Sequence, residues 1–188
     1  MSDLTMIDKH DPFANKRGKI ARPQNATDWL AVFLATGFGA GLIPFAPGTF
    51  GSLVGVAIAY LIIVTHQSAP LLLLNGMLVA SLLFTWLGLW ASTRAEKLFE
   101  RKDASQIVID EVAGQLIAYV LIAPYFPLGQ RLWWVLLAGF ALFRLFDIFK
   151  PYPINHLQAL TGGVGVMMDD VIAGLYAAIG LSFLLALF

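Results

Sequence analysis

Cysteine is absent from the 188 residues, so structural disulfides, thiolate metal sites and cysteine nucleophiles are all excluded. Charge is scarce as well: 13% of the residues are Asp, Glu, Lys or Arg, where a soluble domain carries about 25%. The 12 basic and 12 acidic residues cancel, which removes any bulk attraction for a polyanion and argues against a nucleic-acid partner. The three histidines, His10, His66 and His156, are scattered, a poor basis for a histidine metal centre or a histidine-based lipid phosphatase. The chain has no internal repeat, coiled coil or low-complexity tract. What is abundant is apolar surface, with 59% hydrophobic residues. One small globule cannot hide that much, so the sequence reads as an integral membrane protein.

The charge map gives a topology. From Trp29 to Thr93 there is no Asp, Glu, Lys or Arg. At about 20 apolar residues per crossing, that stretch holds two or three helices, punctuated by Pro44, Pro47 and Gly48 and again at 66–70. Further apolar runs occupy 107–123, 132–149 and 171–188. Lysines and arginines near helix ends mark the cytoplasmic side. They cluster in the arm 1–28 (Lys9, Lys16, Arg17, Lys19 and Arg22) and again over 94–103. An even number of crossings must separate the two clusters, which predicts one span over 50–65 and a return over 71–90. Residues 29–43 are then too few for a comfortable span and read as a half-inserted or re-entrant helix. The run 107–123 goes out, 132–149 comes back and 171–188 goes out again. The expected fold is therefore all-α and polytopic, with about five transmembrane helices plus the short N-terminal half helix. A polar cytoplasmic arm over 1–28 precedes one membrane domain over 29–188. Trp29, Trp86 and Trp90 would form the inner aromatic belt, and Tyr125, Trp133 and Trp134 the outer one.

On that topology the polar residues converge on one membrane face. Asp110 and Glu111 lie in the first turn of the third crossing, Asp147 closes the fourth, and Asp169 and Asp170 open the fifth. Five carboxylates at one depth repel one another, and Arg144 and Lys150 offset two at most. A divalent cation is the simplest remaining partner, and oxygen-only ligands suit Mg²⁺, or Mn²⁺. The half helix brings residues 44–52 (Pro-Phe-Ala-Pro-Gly-Thr-Phe-Gly-Ser) to the same face. There Gly48 and Gly51 would let backbone amides approach a ligand, and Thr49 and Ser52 could cap the following helix, whose N-terminus attracts phosphate. Arg144 can grip a phosphate as a bidentate fork and Lys150 as a point charge. One carboxylate can act as base toward a water whose pKa the metal lowers. These are the parts for hydrolysing a phosphate on a lipid headgroup.

Four blocks carry a resemblance. They are the run from Gly37 to Ser52 (GFGAGLIPFAPGTFGS), Asp110-Glu-Val-Ala-Gly114, the run from Phe143 to Ile154 (FRLFDIFKPYPI), and the run from Gly162 to Asp170 (GGVGVMMDD). In this order they resemble the phosphatidylglycerophosphatase A family, over a region reaching from about Trp29 to the end. The resemblance implies a compact all-helical, Mg²⁺-dependent phosphatase of the bacterial cytoplasmic (inner) membrane. It would release the terminal phosphate of phosphatidylglycerophosphate to give phosphatidylglycerol in phospholipid biosynthesis, with its site facing the cytoplasm. Carried over by motif, Asp110, Glu111, Asp147 and Asp169 or Asp170 are the acidic residues, and Thr49, Arg144 and Lys150 the nearest phosphate contacts, with Gly48 and Ser52 beside them.

Plainer readings stand next to these. Asp110 and Glu111 can complement a helix dipole. Asp169 and Asp170 can be an N-cap and its follower, with one of the pair on the metal and the other capping or orienting; Asp170, at the start of the apolar run, points inward more naturally. Arg144 and Asp147, spaced i, i+3, can form a helix salt bridge. Gly162–Gly165 reads as a flexible turn, and the charges over 96–101 as a solvated face leaning on anionic lipid. A small ion-coupled transporter is the competing class, but it would set acids near mid-bilayer and often shows repeats. A phosphatase acting on another lipid phosphate is the nearer alternative. A CDP-alcohol phosphotransferase lacks its spaced aspartates here.

Overall fold

The computed structural model describes residues 23–152, 154 and 162–187, so most of the predicted arm and His156 lie outside the described residues. Among the described residues every regular element is helical: α1 (Ala26–Ala35), α2 (Pro47–Thr65), α3 (Pro70–Leu98), α4 (Ile109–Ile117), α5 (Leu132–Phe149) and α6 (Gly163–Leu187). Short 3-10 turns occupy Ala40–Leu42, Val120–Tyr125 and Gly129–Arg131. Helices α2, α3, α5 and α6 are long and apolar enough to cross a membrane. Their outer faces present Leu71, Val79, Leu82, Trp86, Leu137 and Ile179, side chains that only lipid can cover. The protein is a multi-pass membrane protein.

The apolar run 107–123 is not a fifth long helix. It forms α4, whose nine residues rise only about 14 Å, followed by the 3-10 turn Val120–Tyr125. The broken segment still travels the length of the bundle beside α6. Gly114 packs on Asp170 and Gly174 at one end, and the Tyr125 hydroxyl donates to the Ser182 carbonyl at 3.0 Å towards the other. The physical reason is enclosure. Every residue of α4 except Glu111 is buried, with α2, α3, α5 and α6 packed around it. Irregular backbone at membrane depth is tolerated where protein, rather than lipid, surrounds it.

Residues 26–43 dip and return, as a re-entrant segment does. Asp28 pairs with Arg94 of α3 at 2.7 Å, and Phe38 sets its ring edge-on to Phe84, centroids 6.1 Å apart. Ten residues of α3 separate Arg94 from Phe84, about 15 Å of helix. The chain reverses through left-handed positions at Gly37, Phe38 and Gly39, so that Gly41 comes back against Gln106. The Gln24 N–H and the Arg94 guanidinium hold the Asp28 carboxyl below the ordinary carboxylate range, which keeps this anchor charged.

Two helix boundaries shift from expectation. Helix α3 runs on to Leu98, so Arg94 and Lys97 belong to its last turns. Helix α6 starts at Gly163, which makes Gly163–Gly165 helical and sets Asp169 and Asp170 in its second turn, so the N-cap reading of that pair fails. Small residues let the central helices approach: Ala113, Gly114, Ala173, Gly174 and Ala177 are buried where α4 meets α6. A Cβ added at Gly174 would strike the Gly114 carbonyl oxygen, whereas one at Gly180 meets Leu142 at an ordinary 3.6 Å. Gly174→Ala is therefore expected to destabilise the bundle by about 1–3 kcal/mol and Gly180→Ala to be neutral or better, as read from thermal unfolding in detergent.

Candidate active site

One end of the bundle carries a cavity of about 320 Å³. Its walls are the start of α2 (Pro47, Gly48, Thr49), the first turn of α4 (Asp110, Glu111), the end of α5 (Arg144, Asp147, Lys150) and Asp169 and Asp170 of α6. Nine of the ten residues put forward for the site in the sequence, Glu111 among them, thus share one space; Ser52 does not, and Gly51 lies outside it too. Alternating helix direction explains the convergence. Helices α2, α4 and α6 begin at this end and α5 finishes there.

The five carboxylates divide into two groups. Asp110, Glu111 and Asp170 each place one oxygen within 4.8 Å of the others. Asp110 Oδ1 and Glu111 Oε2 are buried without a hydrogen-bond partner. Asp147 and Asp169 are instead engaged by cations: Arg144 Nη1 lies 2.7 Å from Asp147 Oδ2, and Lys150 Nζ donates to Asp169 Oδ2 at 2.5 Å. Asp169 Oδ1 also accepts the Asp170 N–H at 3.1 Å. The inward position therefore falls to Asp170 and the cation-paired one to Asp169.

Lys150 caps α5 in the left-handed region at φ 43, a conformation that costs a non-glycine residue energy and turns the chain back at the cavity. Burial would push its ammonium pKa down, but the bond to Asp169 and the charges of Asp169, Asp170 and Asp147 outweigh this and raise it above the ordinary lysine range. Lys150 is a permanent cation at neutral pH. Gly48 makes a close approach: a Cβ there would collide with Glu111 Oε1 and come within 3.3 Å of Arg144 Nη1, so those two side-chain ends would have to move.

The turn before α2 behaves differently from expectation. Its N-cap is Ala46, with no side-chain cap, and the Thr49 N–H is spent on the Ala46 carbonyl at 3.0 Å. Ser52 does not cap either. Its hydroxyl donates back to the Gly48 carbonyl at 2.9 Å and accepts from Arg144 Nη1 at 3.4 Å, so it stands behind the arginine. Gly51 packs on Val108, not on ligand space. Two polar lining residues escaped the sequence reading, Asp103 and Ser105. Asp103 sits at a left-handed φ of 50, and its N–H is held by Glu96 Oε1 at 2.8 Å. Lying in a charged stretch, they carried no periodic signal; the only hint was their place just before the buried run that opens α4.

An oxygen-only donor set with two orphaned buried carboxylate oxygens fits a hard divalent cation, and Asp110, Glu111 and Asp170 are the residues able to hold one. The family model for phosphatidylglycerophosphatase A matches residues 33–185, and all the lining residues fall within that span. The chain belongs to the phosphatidylglycerophosphatase A family. Membership makes it a phosphatase. Phosphatidylglycerophosphatase A of Haemophilus influenzae is 38% identical over 147 residues, 78% of this chain and 83% of that protein. That of Escherichia coli is 31% identical over 177 residues, 93% and 91% respectively. A Bacteroides thetaiotaomicron protein bearing the provisional name phosphatidylinositol-3-phosphatase is 41% identical over 151 residues, 80% of this chain and 91% of its own length. No solved structure matches the chain.

Proposed function

We propose that the protein hydrolyses the terminal phosphate monoester of phosphatidylglycerophosphate, yielding phosphatidylglycerol and inorganic phosphate, as a step of phospholipid biosynthesis. The observation that carries this reading is the facing of a three-carboxylate cluster, two of its oxygens unpartnered, by Arg144 and Lys150 across one cavity. Mg²⁺ is the cation proposed for Asp110, Glu111 and Asp170, with Mn²⁺ as a substitute; bound there it would neutralise phosphate charge and act as a Lewis acid. Arg144 and Lys150 bind the phosphate oxygens, with Thr49 and Gly48 at the rim and Ser52 bracing Arg144. An incoming phosphate competes with Asp147 for the Arg144 guanidinium and frees Asp147 Oδ2. Asp147 then accepts the proton of the attacking water. Water adds to phosphorus, the phosphorus–oxygen bond to glycerol breaks, and solvent at the cavity mouth protonates the departing oxygen. Asp169 holds Lys150 in place throughout.

The positive charges at the ends of the arm and of α3 support a cavity that faces the cytoplasm of a bacterial inner membrane. All the acids of the cavity gather at one end of the helices, which favours an enzyme at the interface over an ion pathway through the bilayer. The Bacteroides relative favours a second reading, in which the same site acts on another lipid phosphate.

The test is phosphate release by protein in detergent, offering phosphatidylglycerophosphate and phosphatidylinositol 3-phosphate side by side, with Mg²⁺ or with EDTA. Release from the first, stopped by EDTA, is expected. Preferential release from the second would transfer the assignment to the inositol lipid, and release unaffected by EDTA would remove the cation.

A further inference from the structure

A second cavity, about 530 Å³, opens at the end of α3 and shares no residue with the first. It is lined by Asp28, Trp90, Thr93, Arg94, Lys97 and Leu98. Trp90, Arg94 and Lys97 follow one another at i, i+4 and i+7, so they stand on one face of α3. Arg94 spends its Nε on Asp28, remains 38% exposed and lines the cavity. Among the described residues Lys97 forms no ion pair and is exposed. Two cations against one carboxylate give the cavity a net positive charge. The Thr93 hydroxyl receives the Gly163 N–H at 3.0 Å, which ties this wall to the start of α6. Trp90, and Trp29 beside Asp28, are exposed indoles at the height where a membrane-spanning helix leaves the apolar layer, the usual level of lipid headgroups.

We propose that this cavity binds the phosphodiester headgroup of an anionic phospholipid, its phosphate on Arg94 and Lys97 and its glycerol region against Trp90. A zwitterionic lipid would bring its own cation against Arg94 and Lys97, whereas an anionic one meets complementary charge. The bound lipid bridges the re-entrant segment to α3, because Arg94 already holds Asp28. The site is separate from the proposed chemistry and does not depend on it.

The experiment titrates phosphatidylglycerol, phosphatidylcholine or inorganic phosphate into detergent-solubilised full-length protein and follows thermal unfolding and lipid retention by native mass spectrometry. Wild type, Lys97→Glu, the milder Lys97→Gln and the active-site variant Arg144→Gln are compared. Phosphatidylglycerol alone is expected to raise the melting temperature and remain bound, less so at high salt. Lys97→Gln is expected to weaken its binding about fivefold, the contribution of one basic residue at a lipid surface, and Lys97→Glu more. Any phosphate release that wild type shows from phosphatidylglycerophosphate dispersed in detergent should persist in both, and Arg144→Gln should keep the lipid effect. Three results would overturn the proposal: both Lys97 variants binding at wild-type strength, the effect vanishing in Arg144→Gln, or inorganic phosphate reproducing it.

Discussion

Asp170→Asn is expected to lower the rate of phosphate release by about 10³-fold, the scale seen when one preorganised charge-stabilising group is removed, while leaving the cation-free protein at least as stable as wild type. The two halves of this expectation have one cause. Asp110, Glu111 and Asp170 crowd three carboxylates together, and two of the cluster's oxygens have no partner in the fold. Such a cluster is unfavourable until a cation joins it, so a neutral amide at 170 relieves repulsion as it removes a ligand. Melting curves with EDTA and with Mg²⁺, run beside the activity assay, check both. Wild type should gain stability from Mg²⁺, and the variant should lose most of that gain. Asp169→Asn serves as the comparison: its partner is Lys150, so it should lose less activity and keep the response to Mg²⁺. Equal losses from the two substitutions would dissolve the division of the acids proposed above.

Gly48→Ala should cost about 10²-fold in kcat/KM, the penalty expected when a reacting group is displaced by roughly 1 Å. A methyl group at 48 collides with Glu111 Oε1 and crowds Arg144 Nη1, so it moves a carboxylate of the cation cluster and the main phosphate-binding cation together. Position 48 lies in the first turn of α2, where alanine is the better helix former by up to about 1 kcal/mol. Thermal stability should accordingly change little. Activity loss with an unchanged melting temperature, measured on one preparation, separates a positioning effect from misfolding. Wild-type kcat/KM in this variant would mean that Glu111 and Arg144 have room the close approach denies them.

Some of this was legible in the residues themselves. A chain with 59% hydrophobic residues and no charge between Trp29 and Thr93 has no other way to satisfy its surface than lipid, so membrane class and all-helical architecture followed from composition. The bounds of α5 followed equally well, because Arg131 and Lys150 punctuate a run whose only charges are Arg144 and Asp147. The four sequence blocks pointed to the family, which the comparisons with known proteins establish.

Other features depended on contacts that no linear pattern encodes. The run 107–123 is apolar because protein encloses α4, and lipid and protein interiors select the same residues. Only packing shows that it need not be one long helix. Asp169 and Asp170 are chemically identical neighbours, and a turn of about 100° between them, together with the position of Lys150 across the gap, decides which one joins Asp110 and Glu111. Ser52 reads as a cap in the sequence but braces Arg144 from 92 residues away. Asp103 and Ser105 reach the cavity only because the chain after α3 brings them to its wall. Composition and periodicity are local sums of burial, and they fix which solvent each segment prefers. The site is made of partners far apart in sequence, and their meeting is set by helix rotation and close approach at positions such as Gly48, Gly114 and Gly174, which only the tertiary structure determines.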